Sequence, residues 1–96
     1  MLQKLKYEMI ILLNEEFNET ELKTWAFKYA KELQKLGGSD ISVILRGRHN
    51  LAYPIQDQKK GNFIEIIFFI SPRLLTIFNK ILILDENVLR SMILKF

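Results

Sequence analysis

Between Leu5 and Leu13, Lys6 and Glu8 interrupt Leu5, Tyr7, Met9 and Ile11 at every second position, the period of a strand with one buried face. Residues 14–17 are polar and turn-like. Asn18, with Glu21 three positions on, predicts a helix start closed by a capping box. Leu22, Trp25, Ala26, Tyr29, Ala30, Leu33 and Leu36 then recur at three- and four-residue steps, a single apolar stripe with Lys23, Lys28, Lys31, Glu32 and Lys35 largely off it. Gly37-Gly38 predicts a left-handed helix end. Ile41–Leu45 is rich in strand formers, and the chain stays extended through Tyr53-Pro54-Ile55. Gly47 predicts a bulge or bend in this stretch, and Pro54 belongs at a sheet edge or at the approach to a hairpin. A polar turn at 57–61 leads to a third strand, Phe63–Ile70. Ser71-Pro72 opens a second helix with the stripe Leu74, Leu75, Phe78, Ile81 and Leu82. Asp85-Glu86-Asn87 breaks it before a last strand, Val88–Lys95.

The order β-α-β-β-α-β, without repeat or linker, predicts one α+β domain over residues 1–96. Its expected architecture is ferredoxin-like: a four-stranded antiparallel sheet with both helices on one face and Trp25 buried between the first helix and the sheet. Parity then assigns the open face. Lys6 and Glu8 mark even positions of the first strand as outward, which brings Ile10 and Leu12 with them. Glu65 marks odd positions of the third, which brings Phe63, Ile67 and Phe69. An open face carrying Ile10, Leu12, Ile67 and Phe69 is too apolar to stand in water and predicts a partner surface.

Composition removes several function classes. The longest apolar runs, Met9–Leu13 and Ile66–Ile70, fall far short of the ~20 residues of a membrane span. No apolar leader precedes the first strand, so the mature chain is expected to begin at Met1. With no Cys and one His, thiolate and His-rich metal centres are excluded. His49 has no Ser or Asp placed to form a triad, and no Gly-rich phosphate loop is present; no catalysis, metal or cofactor is expected. The net charge of +3 is unevenly spread: residues 1–36 balance six Lys with six Glu, so the excess lies in the middle and at the end. The sharpest basic cluster is Arg46-Gly47-Arg48-His49-Asn50, where Gly47 permits close backbone approach and two guanidiniums with an imidazole are suited to phosphates or an acidic protein surface. A solvated hairpin edge accounts for the cluster equally well. Lys60-Gly61-Asn62-Phe63-Ile64 opens like the signature of an RNA-recognition motif, but Asn62 stands where an aromatic is required.

Gly47 to Ile55 reads Gly-Arg-His-Asn-Leu-Ala-Tyr-Pro-Ile and closely resembles the signature of the bacterial-type small-subunit ribosomal protein six family. Tyr7-Glu8, Gly37-Gly38 and Asp85-Glu86-Asn87-Val88-Leu89-Arg90 stand where that family has similar residues, in order and over almost the whole chain. The resemblance implies the same fold and no catalytic activity or cofactor. It also implies binding to the central domain of small-subunit ribosomal RNA together with small-subunit ribosomal protein eighteen. RNA contacts are expected from Tyr7 and Arg90, with Lys6 and Lys95 beside them. Arg46, Arg48 and His49 are expected to meet RNA or the protein partner, and no membrane or small-molecule substrate is expected. The sequence departs from many relatives in having Arg46 where they have Trp before the signature glycine, in placing Arg48 one position early and His49 where an Arg is usual, and in stopping at Phe96 without a long charged tail.

Thirteen Ile and ten Lys against four Arg indicate an AT-rich genome. Together with the short form this points to a plastid-encoded member working on the ribosome of the plastid stroma, with an AT-rich bacterium as the alternative. Two rivals share the topology. A regulatory domain binding a metabolite at a dimer interface calls for a Gly-rich loop after the first strand, where Asn14-Glu15-Glu16-Phe17 has none. A small phosphatase calls for an early catalytic Arg, and none precedes Arg46.

Overall fold

The computed structural model describes residues 3–96. Its elements run β1 (Leu5–Leu13), α1 (Glu19–Lys35), β2 (Ser39–Ile55), β3 (Gln58–Ile70), α2 (Pro72–Ile83) and β4 (Val88–Lys95). The sheet order is β2-β3-β1-β4 with every neighbouring pair antiparallel, the ferredoxin-like arrangement expected from the sequence. Local chemistry sets the boundaries. The Asn18 side chain accepts from Glu21 N at 2.8 Å, and the Glu21 carboxylate accepts from Asn18 N at 3.0 Å, completing the capping box. At the other end Gly37 takes φ +87°. Gly38 N reaches back to Leu33 O at 2.7 Å and Gly37 N to Gln34 O at 3.0 Å, which satisfies the last carbonyls.

The hairpin differs from expectation. Its turn is the two residues Gln56-Asp57, both with positive φ (49° and 65°), and β3 starts at Gln58 rather than Phe63. A two-residue turn of this hand matches the twist of the flanking strands, so residues 58–62 join the ladder instead of forming a loop.

Tyr7, Met9, Ile11 and Leu13 of β1 and Ile64, Ile66, Phe68 and Ile70 of β3 face the helices. They pack against Leu22, Trp25, Tyr29 and Leu33 of α1 and Leu75, Phe78 and Leu82 of α2. Phe68 and Phe78 are fully buried and meet edge to face, with ring centres 6.3 Å apart. Trp25 lies in this core as expected, but its anchor was not foreseen. Its Nε1 donates to Asp85 Oδ2 at 2.9 Å, the Tyr29 hydroxyl donates to the same oxygen at 2.7 Å, and Asn87 N donates to Oδ1 at 2.9 Å. One carboxylate thus ties α1 to the turn between α2 and β4.

Candidate functional site

The face of the sheet away from the helices carries Lys6, Glu8, Ile10 and Leu12 of β1 and Phe63, Glu65, Ile67 and Phe69 of β3, because paired residues project to the same side. On β4 the register against β1 adds Arg90, Met92 and Leu94. The side chains of Met92, Leu94 and Phe96 are 56%, 43% and 65% exposed, a strip beside the half-buried Ile10, Ile67 and Phe69. Sequence reasoning missed the β4 contribution: Val88–Lys95 has no clean alternation from which to phase it, and only pairing with β1 reveals which side is open.

One member of the expected partner surface is already covered. Leu12 is 5% exposed. β2 leaves its register with β3 between Asn50 and Ile55, and this free arm, with Pro54 in it, lies over the open face. Leu51, Tyr53 and Ile55 from the arm, Ile10, Leu12 and Phe63 from the sheet, and Arg90 and Met92 from β4 enclose a cleft of about 220 Å³. Arm and β4 come from opposite edges of the sheet, yet Arg90 Nη1 donates to the Tyr53 hydroxyl at 3.0 Å, and its guanidinium stands 5.7 Å from the ring centre. Leu12 is therefore floor of this cleft rather than free surface.

The basic cluster at Gly47 does not come together. Leu45 pairs with Ile64 and Gly47 with Phe63, so Arg46 is an extra residue in a bulge, with Gly47 at φ +85°. The bulge reverses the parity of the strand. Arg46 stays on the open face and pairs with Glu65 through Nε at 3.0 Å and Nη2 at 3.3 Å. This pair holds the Glu65 carboxyl below its ordinary range and raises the Arg46 guanidinium. Arg48 turns to the helix side, opposite the buried Asn62, and donates to Phe17 O at 3.3 Å. Asn62 Nδ2 donates to Asn14 O at 2.9 Å and Phe17 O at 3.4 Å, so both side chains hold the turn between β1 and α1. His49 returns to the open face against the Phe63 ring, with Nε2 2.9 Å from Arg46 O. A joint clamp of Arg46, Arg48 and His49, as the sequence suggested, is not formed.

The four residues expected to meet RNA also separate. Tyr7 is buried, its ring 6.3 Å from that of Phe68 in the core, so it supports the sheet and presents no contact surface. Lys95 pairs with Tyr7 and so projects from the helix side of the edge strand, exposed. Lys6 is exposed on the open face, its ammonium 4.7 Å from the Phe96 ring centre. Arg90 is exposed opposite Leu12, six residues along β1 from Lys6, roughly 20 Å at strand rise. Among the described residues none of Lys6, Arg90 and Lys95 is in an ion pair. Among these residues no group of three or more His, Cys, Asp or Glu could hold a metal ion, and no helix is long and apolar enough to cross a membrane.

Residues 6–95 match the family model described as ribosomal protein S6. A protein of Trieres chinensis named small ribosomal subunit protein bS6c is 61% identical over 89 residues, covering 93% of each chain. Its counterpart of the same name from Phaeodactylum tricornutum is 57% identical over 88 residues, 92% of this chain and 90% of that one. The crystal structure of 30S ribosomal protein S6 from Thermotoga maritima superposes with a TM-score of 0.88 at 18% identity, over 98% of this chain and 89% of that one. That likeness concerns the fold.

Proposed function

The chain belongs to the ribosomal protein S6 family, and from that premise we propose that it serves the small subunit of a plastid ribosome as a structural, non-enzymatic protein. In this reading it binds the central domain of small-subunit ribosomal RNA jointly with small-subunit ribosomal protein eighteen. The plastid assignment draws on the bS6c names of its relatives and on the AT-rich composition.

The observation that carries the reading is the open sheet face: an apolar strip of Ile10, Ile67, Phe69, Met92 and Leu94 beside Lys6 and Arg90, which have no carboxylate partner among the described residues. The two halves of this surface suit different ligands. Apolar area with half-buried aromatics gains from leaving water against another protein. Arg90, with Lys6 towards the other end of the open face and Lys95 on the helix side of the same edge, is placed for phosphates. Arg46, neutralised by Glu65, is suited to holding the sheet face in shape and has less to offer an RNA. His49, beside Phe63, belongs with the protein-facing half.

Sedimentation of a tagged chain through a sucrose gradient of organelle extract tests this. The chain is expected to travel with the small subunit. Arg90→Ala should reduce its share there several-fold, while Lys23→Ala, on α1, should leave it unchanged. A wild-type chain that stays at the top of the gradient, or equal behaviour of the two variants, refutes the assignment.

A further inference from the structure

An arginine at the rim of an exposed face samples many rotamers, and fixing one on a phosphate costs that freedom. Arg46 and Arg90 both lie on the open face and solve this differently. Arg46 is fixed by a carboxylate, which also cancels its charge. Arg90 is fixed by a phenol, which does not: Tyr53 accepts one hydrogen bond from Nη1 and sets its ring beside the guanidinium. A guanidinium has five N–H donors, so four remain, enough to meet a phosphate bidentately. The arm that carries Tyr53 reaches β4 within the stretch where β2 is out of register with β3, from Asn50 to Ile55. The cleft beneath is apolar and touches Tyr53 on one wall and Arg90 on the other.

We propose that Tyr53 is a positioning residue for Arg90. Its hydroxyl and ring hold the guanidinium in the orientation that meets an RNA phosphate, and an apolar side chain of the protein partner seated in the cleft braces Tyr53 and strengthens that contact. This rests on the reading above in which Arg90 touches RNA and the open face receives a protein. It supplies a physical link between the two: whatever fills the cleft restrains the arm, and a restrained arm restrains Arg90.

The test is a filter-binding titration of central-domain RNA, with and without the partner protein, on wild type, Tyr53→Phe, Arg90→Ala and the double variant. Tyr53→Phe keeps the ring and removes only the hydroxyl at a side chain that is 57% exposed, so the thermal midpoint should stay at the wild-type value. With the partner present, its RNA affinity should fall about three- to tenfold, the range of one ordinary hydrogen bond, because water replaces part of the contact at this exposed hydroxyl. In the Arg90→Ala background the same substitution should change nothing, because there is no guanidinium left to position. The gain in affinity that the partner confers should also shrink in Tyr53→Phe. Wild-type affinity in Tyr53→Phe, an equal loss in both backgrounds, or an undiminished partner gain overturns the proposal while leaving the RNA reading in place. Wild-type binding by Arg90→Ala, or no binding by wild type with its partner, rejects the RNA reading itself and the proposal with it.

Discussion

Removing the Asp85 carboxylate should destabilise the domain more than any other substitution of a partly exposed polar residue. Two donors depend on it from buried positions, Trp25 Nε1 and the Tyr29 hydroxyl, in side chains only 6% and 3% exposed. A hydrogen bond to a charged acceptor contributes ~1.5–3 kcal/mol, and Asp85→Ala removes both of these at once, together with the exposed one from Asn87 N. Because Asp85 is itself half-buried, water recovers part of that, and we expect a cost of about 3 kcal/mol, or a thermal midpoint lower by roughly 12–20 °C in a domain of this size. Asp85→Asn keeps an acceptor oxygen in place and should cost about 1 kcal/mol. The acid limb gives an independent check. Burial alone would raise the Asp85 carboxyl, but hydrogen bonds from Asn87 N, Tyr29 and Trp25 outweigh it and hold the group below its ordinary range. A carboxyl depressed in the folded state stabilises fully above its unfolded value, ~3.9, and loses that contribution as pH falls through the folded value. Wild type should therefore lose stability below about pH 4 more steeply than Asp85→Asn does. The assay is urea unfolding followed by far-UV circular dichroism at pH 7 and along a series down to pH 2.5, since Trp25 fluorescence is itself altered by the substitution. Tyr29→Phe should cost nothing further in the Asp85→Ala background. An Asp85→Ala cost under about 1 kcal/mol, with acid limbs of wild type and Asp85→Asn that superimpose, would refute the claim that this carboxylate clamps α1 to the turn before β4.

Other outcomes can be checked by the same unfolding measurements. Trp25→Ala should cost about 3–5 kcal/mol through the cavity left between α1 and its neighbours, and near-wild-type stability would contradict its place in the core. Asn18→Ala should cost about 1 kcal/mol by opening the capping box, and Asn18→Asp should restore most of it. Gly38→Ala should cost about 1–3 kcal/mol, because its Cβ would stand 2.8 Å from Leu33 O, the carbonyl that its own amide caps.

Much of the fold was legible because it is written locally. The alternation of Leu5–Leu13, the Asn18–Glu21 box, Gly37-Gly38 and Ser71-Pro72 each act within a few residues, and each appears at its expected place. The site was less legible because its contacts are remote in sequence. Tyr53 and Arg90 are 37 positions apart, and Trp25 and Asp85 are 60. The bulge at Gly47 was foreseen, but its consequence was not: one extra residue reverses parity, so that Arg48 leaves the face of Arg46 and His49 joins it. Parity correctly put Leu12 on the open face and could not show that the chain's own arm covers it. Tyr7 illustrates the opposite lesson. Its odd position in β1 already marked it as inward, and the alternation outweighed the contact that the family resemblance implied.

Joint binding of RNA and a protein partner is tested most directly by titrating central-domain ribosomal RNA with the chain at several salt concentrations, alone and with the partner protein. Lys6, Arg90 and Lys95, the cations assigned to RNA and without an ion pair among the described residues, predict weak binding alone, with a log–log salt slope of about −2 to −3. Adding the partner should tighten binding by at least tenfold, since the apolar open face then contributes. Tight binding by the chain alone with a slope near −6, or an affinity that the partner leaves unchanged, would contradict it.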